Sequence, residues 1–108
     1  LVNLMGLYNS EQKNAVSTLC RIIDETEIPL VLMGDFNTTA DDEVLLPLYE
    51  RLSDTDLKAK ITAVNTYPSD SPIKKIDYIF YRGLNCVHAE TVEEVISDHF
   101  PITADFEF

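Results

Sequence analysis

One stretch of the chain decides its fold: Leu30-Val31-Leu32-Met33-Gly34-Asp35-Phe36-Asn37. Its first four side chains form a continuous apolar run, which is typical of a short strand covered on both faces. Gly34 ends the run and allows close approach of the backbone. An extended backbone then aims Asp35 and Asn37 to the same side. The stretch therefore predicts a buried strand, Leu30–Met33, with two polar side chains delivered at its end.

Two further clusters place polar side chains within or directly beside apolar strands. Lys75–Tyr81 is rich in β-branched and aromatic residues, and one acidic residue, Asp77, interrupts it. Ser97-Asp98-His99-Phe100-Pro101 leads into the strand Pro101–Phe108, whose apolar and polar residues alternate. Taken singly, each such Asp or His is explained equally well as a cap of a turn or as a hydrogen-bond partner of the backbone. Taken together, they are the groups needed for metal-assisted attack of water on phosphorus.

Further helices and strands are predicted between these clusters. An amphipathic stripe at helical spacing predicts a helix near Glu11–Glu25. A second helix is predicted near Asp42–Leu52, short or broken because Pro47 interrupts it. Two more strands are predicted near Ile61–Tyr67 and Cys86–Ala89. The pattern indicates an α/β domain.

Composition and charge limit the possible partners. The chain has 108 residues, 45% apolar and 25% charged, which fits one globular domain. Its 19 acidic and 8 basic residues give a formal net charge of -11. The average field therefore repels polyanions and gives no reason to expect strong, sequence-independent binding of nucleic acid. No stretch approaches the ~18 consecutive apolar residues of a membrane-spanning helix.

The polar clusters resemble, in order and with plausible gaps, three C-terminal signatures of the endonuclease/exonuclease/phosphatase superfamily, whose fold is like that of deoxyribonuclease. The matching stretches are Gly34-Asp35-Phe36-Asn37, Lys75-Ile76-Asp77-Tyr78-Ile79-Phe80 and Ser97-Asp98-His99-Phe100-Pro101-Ile102. Thr66-Tyr67-Pro68-Ser69 is also similar to the loop that many members place before their Ile-Asp-Tyr strand. The resemblance implies that residues 1–108 are the C-terminal portion of one such domain. That portion would be half of a four-layer α/β sandwich, with a mostly antiparallel or mixed sheet and two helices.

The resemblance also implies a role for each matched polar residue. Asp35 would position or deprotonate the attacking water, and Asn37 would contact phosphate oxygens. Asp77 would hydrogen-bond His99 and favour its imidazolium, which would donate to a phosphoryl oxygen as negative charge develops. Asp98 would bind the divalent metal, Mg²⁺ or Mn²⁺. The implied reaction is hydrolysis of a phosphate monoester or diester.

Part of the family's catalytic set has no counterpart in this sequence. In the family, an Asn, a metal-binding Glu and a strand with a Thr-His-Leu-like motif come from the N-terminal half, and Leu1–Tyr8 does not match that motif. Mg²⁺ prefers octahedral oxygen coordination, so a site without that Glu should be weak. We therefore expect the isolated chain to be inactive or nearly so. We also expect an uncovered apolar sheet face to drive self-association or pairing with the missing half.

Two alternatives to the phosphoesterase remain open. The chain could be a non-catalytic interaction or structural module that kept the fold, or a fragment with no separate function. The intact polar clusters argue against the module, because drift would damage such costly groups first.

The expected substrate is a small phosphorylated molecule or a lipid head group rather than nucleic acid. The chain is acidic, has no Trp, and does not interleave basic with aromatic residues. Lys74 and Lys75 fit a solvated loop end better than contacts to a substrate phosphate.

Overall fold

A four-stranded mixed sheet, a two-stranded antiparallel sheet and two helices make up the described part of the chain. The computed structural model describes residues 2–3, 9–56 and 65–108. In chain order the elements are β1 (Val2–Asn3), α1 (Asn9–Glu25), β2 (Leu30–Asp35), a 3₁₀ turn (Glu43–Leu45), α2 (Leu46–Tyr49), β3 (Ser53–Asp54), β4 (Asp77–Arg82), β5 (Asn85–Thr91) and β6 (Ile102–Glu107).

The larger sheet has the strand order β1-β2-β4-β3, and the smaller one pairs β5 with β6. Only β1 and β2 run parallel, whereas β2–β4, β3–β4 and β5–β6 are antiparallel. The predicted α/β fold, with two helices and a mostly antiparallel, mixed sheet, is confirmed. None of the helices in the described ranges has the length and apolar character needed to cross a bilayer.

Helix α1 matches its prediction but begins two residues earlier, at Asn9. Val16, Cys20 and Ile23 recur at helical spacing and are 2%, 6% and 3% exposed, so one stripe of the helix is buried against the core. The last carbonyls of a helix lack partners within it. Here the guanidinium of Arg82 donates to the carbonyl oxygens of Ile23 and Thr26, at 3.1 and 2.5 Å, and ties the helix to β4.

Strand β2 is longer than predicted because its pairing with β4 continues from Leu30↔Arg82 to Asp35↔Asp77. The prediction that both faces of this strand are covered is wrong for the described part of the protein. Leu32 is buried, but Met33 on the opposite face is 40% exposed. Apolar residues on successive positions therefore do not by themselves show that both faces are buried.

The second helix is broken, as predicted near Asp42–Leu52. Its chain enters through the 3₁₀ turn, and Asp42 caps that turn by accepting a hydrogen bond from the backbone N–H of Val44 at 2.9 Å. Pro47 lies in the first turn of α2, where a missing N–H is tolerated. The helix ends after one turn, at Tyr49.

Strands β4, β5 and β6 lie within one to two residues of their predicted ranges. The predicted strand Ile61–Tyr67 falls mostly outside the described residues, and Tyr67 forms an isolated antiparallel bridge with Lys74. Strands β1 and β3 were not predicted, because two residues are too few to establish an alternating pattern.

Three aromatic side chains form the centre of the core. Phe36, Tyr78 and Phe80 are each 0% exposed, and their ring centroids lie 5.5 to 5.6 Å apart. Such contacts combine large apolar burial with favourable ring geometry. Because side chains alternate along a strand, burial of Tyr78 and Phe80 on one face of β4 directs Asp77 to the other. The core thereby fixes the direction of the polar side chain next to it.

Candidate active site

The candidate site begins with two carboxylates that face each other on neighbouring strands. The register of β2 against β4 places Asp35 directly opposite Asp77. Their side chains are only 11% and 15% exposed. Like charges in directly opposed positions destabilise a sheet, and burial increases the cost. A cation or a proton donor between these two groups is therefore needed to stabilise the pair.

His99 lies between the two carboxylates. Its Nδ1 is 2.7 Å from Asp77 Oδ2, and its Nε2 is 3.6 Å from Asp35 Oδ2. Burial by itself opposes protonation of the ring. The hydrogen bond that the ring donates to Asp77 and the charges of Asp77, Asp35 and Asp98 outweigh it and raise the pKa of His99 above 6.5. The site therefore favours the imidazolium form, which offsets the repulsion between the carboxylates.

The two oxygens of Asp35 have different environments. Oδ1 accepts a hydrogen bond from the backbone N–H of Asn37 at 2.8 Å, whereas Oδ2 is buried without a hydrogen-bond partner among the described residues. Burial raises the pKa of Asp35, with further increases from Asp77 and Asp98, against the hydrogen bond from Asn37 and the charge of His99. Asp35 therefore accepts a proton more readily than an ordinary aspartate, as a general base requires.

Asn37 adopts a left-handed backbone conformation, with φ of 52°. Asn tolerates this conformation better than most residues, which explains how the chain turns sharply just after β2. Gln12, a buried residue of α1, places its Nε2 3.5 Å from the carbonyl oxygens of both Phe36 and Asn37. The sequence did not predict this contact. Its only signal there is a polar residue four positions before Val16, on the apolar stripe of α1.

Asp98 lies in the exposed loop before β6, next to His99. Its charge is close enough to raise the pKa values of both Asp35 and His99. Its carbonyl oxygen accepts a hydrogen bond from the backbone N–H of Ser69 at 2.9 Å, which fixes the loop to the segment before β4. The structure thus brings Asp35, Asp77 and His99 into direct proximity. Asn37 adjoins this group because its backbone N–H donates to Asp35. Asp98 is close enough for its charge to act on Asp35 and His99.

Two residues near the site have environments that the sequence did not reveal. The ring of Tyr67 lies against His99, with centroids 4.7 Å apart. Lys75 is 6% exposed, donates from Nζ to the carbonyl oxygen of Asp77 at 2.6 Å, and lies 3.9 Å from the ring centroid of Tyr78. The predicted solvated loop end is therefore wrong for Lys75.

The amino group of Lys75 is buried against the backbone of Asp77. Burial lowers the pKa of Lys75, while the charges of Asp54, Asp56 and Asp77 act in the opposite direction. Lys74, by comparison, is half-buried, with its Nζ 5.5 Å from the ring centroid of Tyr67. The two neighbouring lysines thus occupy different environments.

The donor groups fit a hard divalent cation only in part. One potential ligand atom from each of Asp35, Asp77 and His99 lies within 4.8 Å of the others. His99 Nδ1 is already hydrogen-bonded to Asp77, which leaves carboxylate oxygens as the suitable donors for Mg²⁺. Two groups offer such oxygens: the exposed carboxylate of Asp98, and Oδ2 of Asp35, which accepts no hydrogen bond from any described residue. Two carboxylates are fewer than the octahedral shell of Mg²⁺ needs, so water, substrate or other protein groups would have to complete it.

Residues 8–99 match the model of the endonuclease/exonuclease/phosphatase family. The chain belongs to this family. The matched range runs from the start of α1 to His99 and includes all the candidate site residues. It confirms the resemblance that the three signatures indicated.

Individual proteins that the chain resembles share only about a quarter of its residues. UPF0294 proteins of Vibrio campbellii and Vibrio vulnificus are 25% and 28% identical to the chain over 96 residues. That alignment covers 89% of this chain but 34% of each relative, so the chain spans about a third of their length.

Two solved structures share the fold of the chain. A mannosyl-6-phosphatase of Bacteroides thetaiotaomicron superposes with a TM-score of 0.82 at 16% identity, over 98% of this chain and 49% of that protein. A conserved protein of unknown function from Enterococcus faecalis gives a TM-score of 0.78 at 20% identity, over 96% and 48%. The chain therefore aligns with about half of each of these two structures.

We predict that His99 in the metal-free chain titrates above 6.5, because Asp77 and its neighbouring carboxylates stabilise the imidazolium. NMR titration of the imidazole ring protons measures this, and a His88→Gln variant assigns the two histidine signals. The Asp77→Asn variant keeps a similar shape but removes the charge, so its His99 midpoint should be lower. A midpoint at or below 6.5 in the unaltered chain, unchanged in Asp77→Asn, would contradict the assignment.

Proposed function

We propose that this chain supplies part of the active site of a divalent-metal-dependent phosphoesterase that acts on a small phosphorylated molecule. One observation carries the proposal: an imidazole is held by Asp77 and directed toward Asp35, whose facing oxygen is buried and has no hydrogen-bond partner in the part of the chain that the structure describes. An acid and a base whose pKa values are both raised, placed side by side, suit proton transfer during hydrolysis. Family membership supports the same reaction class.

Each residue would act through the contact described above. Asp35 would orient an attacking water and take its proton at Oδ2, because its pKa is raised and that oxygen has no hydrogen-bond partner among the described residues. This role of Oδ2 would leave the cation to Asp98. His99 would donate from Nε2 to a phosphoryl oxygen, where a positive donor is most effective as negative charge increases. Asp77 would hold the ring through Nδ1. Asn37 would contact the phosphate from the turn after β2.

Asp98 is the residue we assign to the metal. It is exposed at the edge of the site, and its charge acts on both Asp35 and His99. When bound, a divalent cation would neutralise charge on the phosphoryl group. Mg²⁺ or Mn²⁺ suits a carboxylate ligand in a partly hydrated site.

The acidic charge of the chain favours a small substrate. A net charge of -11 opposes long polyanions, whereas a single phosphate can be drawn in by a local cation. The structural neighbour from Bacteroides thetaiotaomicron is a mannosyl-6-phosphatase, which supports a phosphorylated sugar or similar small molecule as the substrate class.

We further infer that the chain is the C-terminal portion of a single catalytic domain. The two solved structures that share the fold are each about twice as long as this chain, and the carboxylates described here are too few for a complete magnesium site. The complete domain would consist of this sequence preceded by its N-terminal half. The half-domain alone should therefore have little or no activity.

We predict that the complete domain hydrolyses p-nitrophenyl phosphate or bis-p-nitrophenyl phosphate with Mg²⁺, and that EDTA abolishes the reaction. His99→Ala should lower kcat by roughly 10²- to 10⁴-fold, the usual range for a general acid or base. His88→Ala is the matched control, because His88 is an exposed residue of β5. The 108-residue chain, assayed alongside, should remain at background.

Two results would contradict these proposals. Full activity in the His99→Ala complete domain would remove the proposed acid and, with it, the assigned mechanism. Mg²⁺-dependent turnover by the 108-residue chain, lost in His99→Ala, would instead show that the half-domain is sufficient.

Exposed apolar side chains near the smaller sheet support the incomplete domain. They are Val87, Val95, Ile96 and Phe108, which are 57%, 68%, 72% and 100% exposed. Strands β5 and β6 pair only with each other among the described residues, and isolated two-stranded sheets are marginally stable in water. We infer that this surface is covered either by the N-terminal half of the domain or by a second copy of the chain.

We predict that the isolated chain self-associates through this surface. Sedimentation velocity over a dilution series should show oligomers that dissociate at low concentration, because exposed apolar area favours association. A Val95→Ser/Ile96→Ser double variant should weaken association without removing a buried side chain. A compact monomer at all concentrations would contradict the prediction.

A further inference from the structure

The segment Thr66–Ser69 connects the strand that carries Asp77 to the loop that carries His99. On one side, the hydroxyl of Thr66 accepts a hydrogen bond from the backbone N–H of Ile76 at 3.2 Å. On the other side, the carbonyl oxygen of Thr66 accepts from the N–H of Phe100 at 2.7 Å. Thr66 is 0% exposed, so both contacts are shielded from water. The segment therefore fixes the distance between the two halves of the Asp77–His99 pair.

Ser69 holds the same loop at a second point. Its hydroxyl donates to the carbonyl oxygen of Ser97, and its backbone N–H donates to that of Asp98. Ser69 is 5% exposed. These contacts bracket His99, since Thr66 binds the residue after it and Ser69 binds the two residues before it. The backbone of the His99 loop is thus anchored on both sides by one short segment.

The backbone anchors leave the orientation of the imidazole plane undetermined. The hydrogen bond to Asp77 fixes one ring nitrogen but permits the ring to tilt about that contact. The ring of Tyr67 restricts this tilt, because its centroid is 4.7 Å from that of His99 with an interplanar angle of 45°. Lys74 Nζ is 5.5 Å from the Tyr67 ring centroid and adds a cation–π contact to the same ring.

We propose that Tyr67 is a positioning residue that holds the His99 imidazole so that Nε2 faces the reacting phosphate. This inference rests on the function proposed above and assigns Tyr67 no contact with the reacting atoms. The packed ring, rather than the hydroxyl, performs the role. Phe at this position should therefore suffice, and an aliphatic side chain should not.

The test compares Tyr67→Leu and Tyr67→Phe in the complete domain. Tyr67→Leu should lower kcat by roughly 10- to 100-fold, the scale expected when a catalytic group is misplaced by a fraction of an ångström to about 1 Å. Its KM should change less than about twofold, because substrate contacts remain. Tyr67→Phe should retain the kcat of the unaltered protein. Tyr81→Leu is the matched control, because Tyr81 makes a similar tilted ring contact, at 5.2 Å, with Phe106 instead of His99.

A spectroscopic measurement tests the contact independently of catalysis. Nuclear Overhauser effects between the ring protons of Tyr67 and His99 should be present in the unaltered protein without metal or substrate. Their absence would overturn the proposal, and so would equal kcat values in Tyr67→Leu and Tyr81→Leu. Full activity of His99→Ala would refute the proposed function instead, which separates the two failures.

Discussion

Two buried carboxylates that face each other across neighbouring strands constrain the whole site. Asp35 and Asp77 occupy opposed positions because β2 and β4 pair in a single register. A slip of one residue would turn Asp77 into the core and Tyr78 out of it. The aromatic core thus selects the register, and the register forces the two acids together. His99 stabilises the arrangement by placing an imidazole that favours its charged form between them. Burial raises the pKa of Asp35, and the hydrogen bond to Asp77 together with the surrounding carboxylates raises the pKa of His99, in directions that suit the proposed chemistry.

The supports of this site come from distant parts of the chain. Helix α1 contributes Gln12, which contacts the backbone of the turn after β2. The segment before β4 binds the His99 loop through backbone and hydroxyl groups, and Lys75 donates to the carbonyl of Asp77. These contacts all lie within the chain itself. The proposed acid and base are consequently held together by contacts among the described residues, whereas the proposed metal shell is short of oxygen ligands. This difference underlies the proposal that the chain alone lacks activity.

Much of the site could be predicted from sequence because its polar residues interrupt or end apolar strands. Asp35 and Asp77 stand out against such runs, and the motif order links them to His99. The contacts of Tyr67 and Gln12 could not be predicted, because each reaches a partner more than 20 residues away and periodicity identifies a face without identifying what covers it. The burial of Lys75 was not predicted for a different reason: its partners, the carbonyl of Asp77 and the ring of Tyr78, are close in sequence, but nothing in the pattern shows that this stretch is covered. The fold class was predictable from strand and helix patterns. The ends of strands were less predictable, because pairing with a neighbour can extend a strand beyond its apolar run, as it does in β2.

The proposed site depends most directly on the hydrogen bond between Asp77 and His99, which NMR can observe. Long-range proton–nitrogen NMR of the chain, at a pH where the imidazole is neutral, identifies which ring nitrogen carries the proton. We expect a proton on Nδ1 that resonates far downfield and exchanges slowly with water, because Asp77 accepts it in a largely buried position. The same signal should disappear in Asp77→Asn. A neutral ring with its proton on Nε2, or an Nδ1 proton in rapid exchange with water, would contradict the arrangement on which the proposed activity depends.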